Sequence, residues 1–226
     1  MKNLVLRTTT AVFAVVSVVS VVSLSACTGG ERQANQANFT AAMTTYLNQR
    51  GDLCLAKNRW PVDVTSAEFD SGNSRNAVQM PVLEKLGVVS SSTVTVEKVD
   101  EDGVKGSEPA KRYVLTDLGK QSYLTRAPHK RPTGDRFADA PQDLCAVHLT
   151  LDKVVGWEAA NNPDKKGSAA ETVVTFTYQA RPVAWANDPA ARKVFPMVDT
   201  ILRGAGTLQL KEAFVQGATG WEAVDM

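Results

Sequence analysis

The sequence predicts an α+β fold: a signal peptide and a flexible tether, then two small α+β halves, the second a mainly antiparallel sheet with one packed helix. Three observations carry this expectation. Apolar residues recur at helical spacing in some windows and at period two in others. The elements so marked run helix, extended segment, helix, strand, strand, helix in the first half and strand, strand, helix, strand in the second, which is not the regular strand–helix alternation of a parallel sheet. A basic run rich in Pro and Gly separates the two halves. The expected boundaries are 1–26 for the signal peptide, 27–38 for the tether, 39–125 for the first half, 126–142 for the linker and 143–226 for the second half.

The N-terminus is laid out as a signal peptide. Lys2 and Arg7 form a positive n-region, residues 11–24 an apolar h-region, and small residues follow before Cys27. The apolar run is shorter than the roughly 20 residues of a spanning helix. Leu24-Ser25-Ala26-Cys27 resembles the lipobox of bacterial lipoproteins. The resemblance implies cleavage before Cys27, a thioether-linked diacylglycerol on its sulfur and a third acyl chain on its amine. One acyl chain binds membranes marginally, whereas two or three anchor stably, at about 0.8 kcal/mol per buried CH₂. Thr28 stands where an aspartate resembles the inner-membrane retention signal, so the resemblance implies the outer membrane of a two-membrane cell, with the membrane as partner through the lipid on Cys27.

Cleavage changes what the composition says. The whole chain of 226 residues carries 25 Lys+Arg and 24 Asp+Glu. Loss of Lys2 and Arg7 leaves a chain of 200 residues with 23 basic against 24 acidic side chains. No global basic field remains, so no nucleic-acid partner is expected. With Cys27 assigned to lipid, Cys54 and Cys145 are an even pair in an oxidising compartment, and a disulfide between them is predicted. It would close a loop of about 90 residues, for which chain entropy gives about 4 to 5 kcal/mol. The alternative is a pair of free buried thiols. Both cysteines end an Asp-Leu-Cys string, 52–54 and 143–145.

In the first half, Phe39, Met43, Tyr46 and Leu47 recur at helical spacing and Gly51 stands where a helix would end. Residues 53–64 read as extended, with Trp60-Pro61 as a local stop. A second helix is predicted over 75–86, with Val78, Val82, Leu83 and Leu86 on one stripe, Gly87 as its cap, and a kink or late start at Pro81. Strands over 93–99 and 111–115 flank a polar turn, and Thr116 caps a short helix reaching Leu124. Leu83-Glu84-Lys85-Leu86-Gly87-Val88-Val89, the hairpin and Tyr113-Val114-Leu115-Thr116-Asp117-Leu118-Gly119-Lys120 resemble the recognition helix, wing and following helix of winged-helix regulators. This resemblance, about a quarter of the chain, makes the first half winged-helix-like. In a DNA reader, Arg75, Lys85, Lys98 and Lys105 would face phosphate, but Asp100, Glu101 and Asp102 occupy the wing tip and would be repelled. The shape is therefore expected to serve as a protein-interaction surface.

The linker gathers Arg126, His129, Lys130, Arg131 and Arg136 among prolines and glycine. Arg126, Lys130, Arg131 and Arg136 are candidate contacts to an anionic headgroup or acidic partner, at about 1 kcal/mol per basic residue near a charged surface. The other reading is a solvated connection. In the second half, Cys145, Val147, Leu149 and Leu151 alternate with a polar face carrying His148. A long strand over 173–185 follows, with Val174, Phe176 and Tyr178 on one face. A helix then starts at Pro189 with a kink near Pro196, and a strand over 207–215 leads to a short final one.

Gly156-Trp157-Glu158-Ala159 recurs as Gly220-Trp221-Glu222-Ala223. Trp157 and Trp221 are either stacking platforms for a sugar or peptidoglycan fragment, with Glu158 and Glu222 as an acid/base pair, or core aromatics at strand ends beside exposed glutamates. No other motif carries chemistry. His129 and His148 do not make a metal set, no nucleophile elbow or phosphate loop is present, and no catalytic residue, metal or cofactor is assigned. The sequence thus predicts a membrane-anchored, non-catalytic binding module of the cell envelope, with a carbohydrate-active or peptidoglycan-modifying enzyme as the alternative.

Overall fold

The computed structural model describes residues 30–99, 103, 105–126, 142–160 and 171–225. Cys27, the signal peptide, the acidic wing tip 100–102 and Lys130, Arg131 and Arg136 lie outside them. The fold is α+β, as the sequence predicts, with a curled antiparallel sheet and packed helices.

The helix α1, Gln36–Arg50, starts at Asn35, whose side chain accepts the Asn38 N–H, and buries Phe39, Met43 and Leu47. This is the predicted stripe. Its partner is unexpected, because α1 lies against the long strand β6, Gln142–Ala159, and the last strand β9, Trp221–Ala223, both from the second half. The glycine after it is required by a close approach: Gly51 has φ −69°, but a Cβ there would collide with the Leu149 carbonyl of β6.

Two sheets organise the rest. In the larger, strands run in the order β1 (Asp52–Cys54), β6, β7 (Glu171–Pro182), β8 (Leu210–Gln216), β9, and β5 (Tyr123–Thr125) also pairs with β6. All these pairings are antiparallel. Two strands of the first half, β1 and β5, therefore join the second-half sheet. The smaller sheet has the order β2 (Val62–Thr65), β4 (Lys105–Leu115), β3 (Val89–Val99). Asp63 and Arg112 are direct partners in its register and form a bidentate ion pair with both N···O distances 2.7 Å. The carboxyl of Asp63 is held below its ordinary pKa by that guanidinium.

Short helices fill the connections. Thr65 and Glu68 make a reciprocal capping box for α2, Ser66–Ser71. The helix α3, Arg75–Lys85, begins on the Ser74 cap and runs through Pro81 as one element, with no late start. Gly87, at φ 73°, supplies the left-handed residue that turns the chain into β3. Thr116 caps α4, Asp117–Gln121, as predicted, but the helix stops short of Leu124, which lies in the strand β5. The predicted helix with a kink at Pro196 is instead two, α5 (Pro189–Val194) and α6 (Pro196–Gly204). Phe195 between them sits at φ −121°, ψ 73°, because the proline ring excludes its predecessor from helical geometry.

The predicted alternation in β6 holds only in part. Residues 143–147 are all buried, so both faces are covered there. Further along, register shifts at Leu151/Lys153 and Val154/Gly156 insert extra residues. The first is pinned by Asp152, whose carboxylate accepts from Thr177 Oγ1 and Gln179 Nε2 at 2.8 Å each.

One contiguous core joins both halves, from Phe39 and Leu83 to Tyr178 and Phe214. Phe39 is fully buried at its centre, so Phe39→Ala should cost about 3–5 kcal/mol. Urea unfolding followed by circular dichroism reads this as a lower midpoint with an unchanged slope.

Candidate functional site

The duplicated tryptophans converge, although their strands do not touch. Trp157 on β6 and Trp221 on β9 place their rings 5.1 and 4.7 Å from that of Phe39, in tilted contacts. They cover the first turn of α1 from two sides. Trp157 keeps 38 % of its surface exposed, and Trp221 Nε1 donates to Gln33 O at 3.3 Å. Alternation turns each neighbouring glutamate away from the tryptophan beside it. Glu158 pairs with Lys211 at 3.0 Å, and Glu222 lies against Gly217. Two strands, β7 and β8, separate their strands, three spacings or about 14 Å along the sheet. A glycosidase carboxylate pair stands about 5–10 Å apart across a substrate. Both tryptophans pack on Phe39, and two strands lie between those that carry the glutamates.

The same end of α1 holds the start of the described chain. Gly30–Arg32 form a 3₁₀ turn, Arg32 Nη2 donates to Ala218 O at 2.6 Å, and Gln216 Nε2 donates to Arg32 O at 3.0 Å. A groove of about 500 Å³ opens here between α1 and the β8–β9 turn, lined by residues including Glu31, Asn38, Thr45, Thr219 and Trp221. The ordered body thus begins before Phe39, on residues the sequence places in the tether.

A second constellation lies at the other end of α1. Cys54 and Cys145 are partners in the β1–β6 register and form the predicted disulfide, with a sequence separation of 91. The repeated Asp-Leu-Cys strings are therefore adjacent antiparallel strands. Their aspartates diverge in role. Asp52 meets His148 Nδ1 at 2.7 Å on the surface. Asp143 is 3 % exposed and accepts the Lys57 backbone N–H at 2.7 Å and that of Ala56, with Arg126 Nη1 at 3.7 Å. Ala56 adopts the left-handed φ of 55°, an uncommon conformation for a residue with a Cβ. The carboxylate holds it there by gathering two successive N–H groups. Tyr123 Oη and Trp60 Nε1 tie the same loop through Asn58 O and Lys57 O.

The loop borders a pocket of about 340 Å³ lined by Lys57, Asn58, Arg59, Ser74, Arg75 and Asn76 among others. Its charged lining is cationic. Lys57 Nζ donates to Asn76 Oδ1 at 2.8 Å, and its pKa is lowered, first by burial and then by Arg75. Of the basic linker residues, Arg126 alone is described; it is half-buried and reaches Asp143.

Sequence reasoning missed Asp143 and Lys57, since a buried acid and a desolvated lysine carry no motif. It also missed Glu212, which shares the α1 face of β8 with Phe214 and hydrogen-bonds Tyr46. Burial, and then that contact, push the Tyr46 hydroxyl well above its ordinary pKa. Among the described residues, no cluster of three or more metal-ligating side chains occurs, and no helix is long and apolar enough to cross a membrane.

No protein-family model matches the chain, and no curated protein or solved structure matches it either.

Asp143 yields a pH test. Burial raises its folded pKa above that of the unfolded chain, near 3.9. Its contribution to stability is complete below the unfolded value and is lost as pH rises through the folded pKa. Asp143→Asn keeps an acceptor for the loop without the charge. Its stability relative to the parent, read by denaturant unfolding between pH 3 and 7, should shift in the variant's favour as pH rises.

Proposed function

We propose that this chain is a lipid-anchored, extracytoplasmic binding module of the cell envelope without catalytic activity, held by acyl chains on Cys27. The observation that carries the proposal is the Cys54–Cys145 disulfide. With those two thiols joined, Cys27 is the remaining cysteine, and it stands where the lipobox resemblance puts the acylated residue. A structural disulfide also fits an oxidising compartment. In this reading the helix α3, hairpin β3–β4 and helix α4 form the winged-helix-like scaffold and offer a surface to another envelope protein or a glycan rather than to nucleic acid.

The separation of Glu158 from Glu222 and the ion pair of Glu158 with Lys211 favour binding over glycoside cleavage. The cationic loop pocket is the described concavity whose lining best suits an anionic partner.

Cys27→Ala should abolish incorporation of a palmitate analogue and move the protein out of the membrane fraction. The double variant Glu158→Gln/Glu222→Gln should keep the same crosslinked partners as the parent in intact cells and leave cell-wall turnover unchanged. Membrane retention of Cys27→Ala, or loss of a wall-cleaving activity in the double variant, would reject the proposal.

A further inference from the structure

We infer that the pole formed by the N-terminal turn, the first turn of α1 and the β8–β9 turn lies against the headgroups of the bilayer that carries the anchor. The inference rests on acylation of Cys27 and goes beyond it, because a lipid anchor by itself leaves orientation free.

The argument is one of reach. Thr28 and Gly29 alone stand between Cys27 and Gly30. Three Cα steps span at most about 11 Å, whatever their conformation. The headgroup layer is itself about 5–7 Å thick on each side of the hydrocarbon. Gly30 is therefore held at or just above headgroup level. From that point the chain has no slack. Gly30 O accepts from Gln33 N at 3.2 Å and Asn38 Nδ2 at 2.6 Å, Arg32 is bonded to Ala218 and Gln216, and Gln33 O receives Trp221 Nε1. These contacts fasten the anchored end to α1 and to the β8–β9 turn.

The surface at this pole is compatible with a bilayer. Val155 and Trp157 are exposed by 45 % and 38 %, and Gln36 Nε2 bonds Val154 O beside them. Indole rings favour the headgroup level of a membrane, where the ring is apolar and its N–H stays wet. Charge does not drive the contact, since the groove residues Glu31 and Glu222 are acidic. The leash sets the pose, and the body alone has little affinity for lipid. The opposite pole then faces away. The helix α1 spans 15 residues, or about 22 Å, and the loop bearing Arg59 follows its far end.

The test uses the full lipidated chain in phosphatidylcholine vesicles, with Thr219→Cys near the anchor and Arg59→Cys at the far pole. Each thiol is titrated with a bulky polyethylene-glycol maleimide, and intact mass reports acylation of Cys27 in the same sample. Modification of Thr219→Cys should slow severalfold relative to the soluble Cys27→Ala background, while Arg59→Cys reacts equally in both. Inserting about twelve Gly/Ser residues after Gly29, a reach of roughly 20 Å, should restore the Thr219→Cys rate. Equal reactivity of Thr219→Cys in the acylated and soluble proteins overturns the inference while leaving the anchor intact. Shielding that survives the insertion also overturns it, since the leash would not be the cause. A mass without acyl groups removes the anchor and the inference together.

Discussion

Burial of one face of α1 in the concavity of the larger sheet is the interaction on which the rest of the structure depends. Phe39, Met43 and Leu47 are withdrawn from water along that face, each contributing about 1.5–3 kcal/mol. The helix cannot reach this environment unless the sheet curls toward it from both edges, and the curl brings Trp157 and Trp221 to the same phenyl ring. Tyr46 and Glu212 meet in the same interface, where the carboxylate accepts from the phenol. The helix, the first of the described α-helices, thus packs on strands from the end of the chain. Folding of this layer requires contacts between the two ends of the chain, which sets a high contact order.

The strand β6 carries the complementary constraint. It pairs with β1 and β5 from the first half and with β7 from the second, so the chain does not divide into two independently packed bodies. At its start it is buried on both faces, where the buried Asp143 turns an irregular loop into a fixed one by accepting successive N–H groups. At its end, bulges change which residues face α1, with Asp152 holding the first of them in place. One strand therefore serves as a spine covered on both faces at one pole and a bulged wall at the other.

Much of the secondary structure was legible because its causes are local. The Phe39–Met43–Leu47 spacing, the Thr116 cap, Gly87 and the shared face of Val174, Phe176 and Tyr178 each follow from a few neighbouring residues. The break at Phe195 was misjudged as a kink, although the rule that a proline restricts its predecessor was available in the sequence. What could not be read was long-range. The spacing of α1 says that it has an apolar face but not that β6 and β9 will cover it. The disulfide was legible from counting cysteines, whereas the role of Asp143 was not, since the Lys57 N–H that it accepts lies 86 residues away. The repeated Gly-Trp-Glu-Ala string pointed to aromatics that meet in space, but not to what they meet on. Its two copies converge on the Phe39 ring of α1 rather than on each other.

The position of the disulfide has a consequence for the integrity of the chain. Cys54 lies before the segment 126–142 and Cys145 after it, on paired strands. A protease that cut between them would produce two fragments still joined through sulfur, and the joined fragments would keep β1 beside β6 in the core. Such a nicked protein would migrate as one species until reduced. The integrity of this chain in a proteolytic environment is therefore a property of its oxidation state as much as of its backbone.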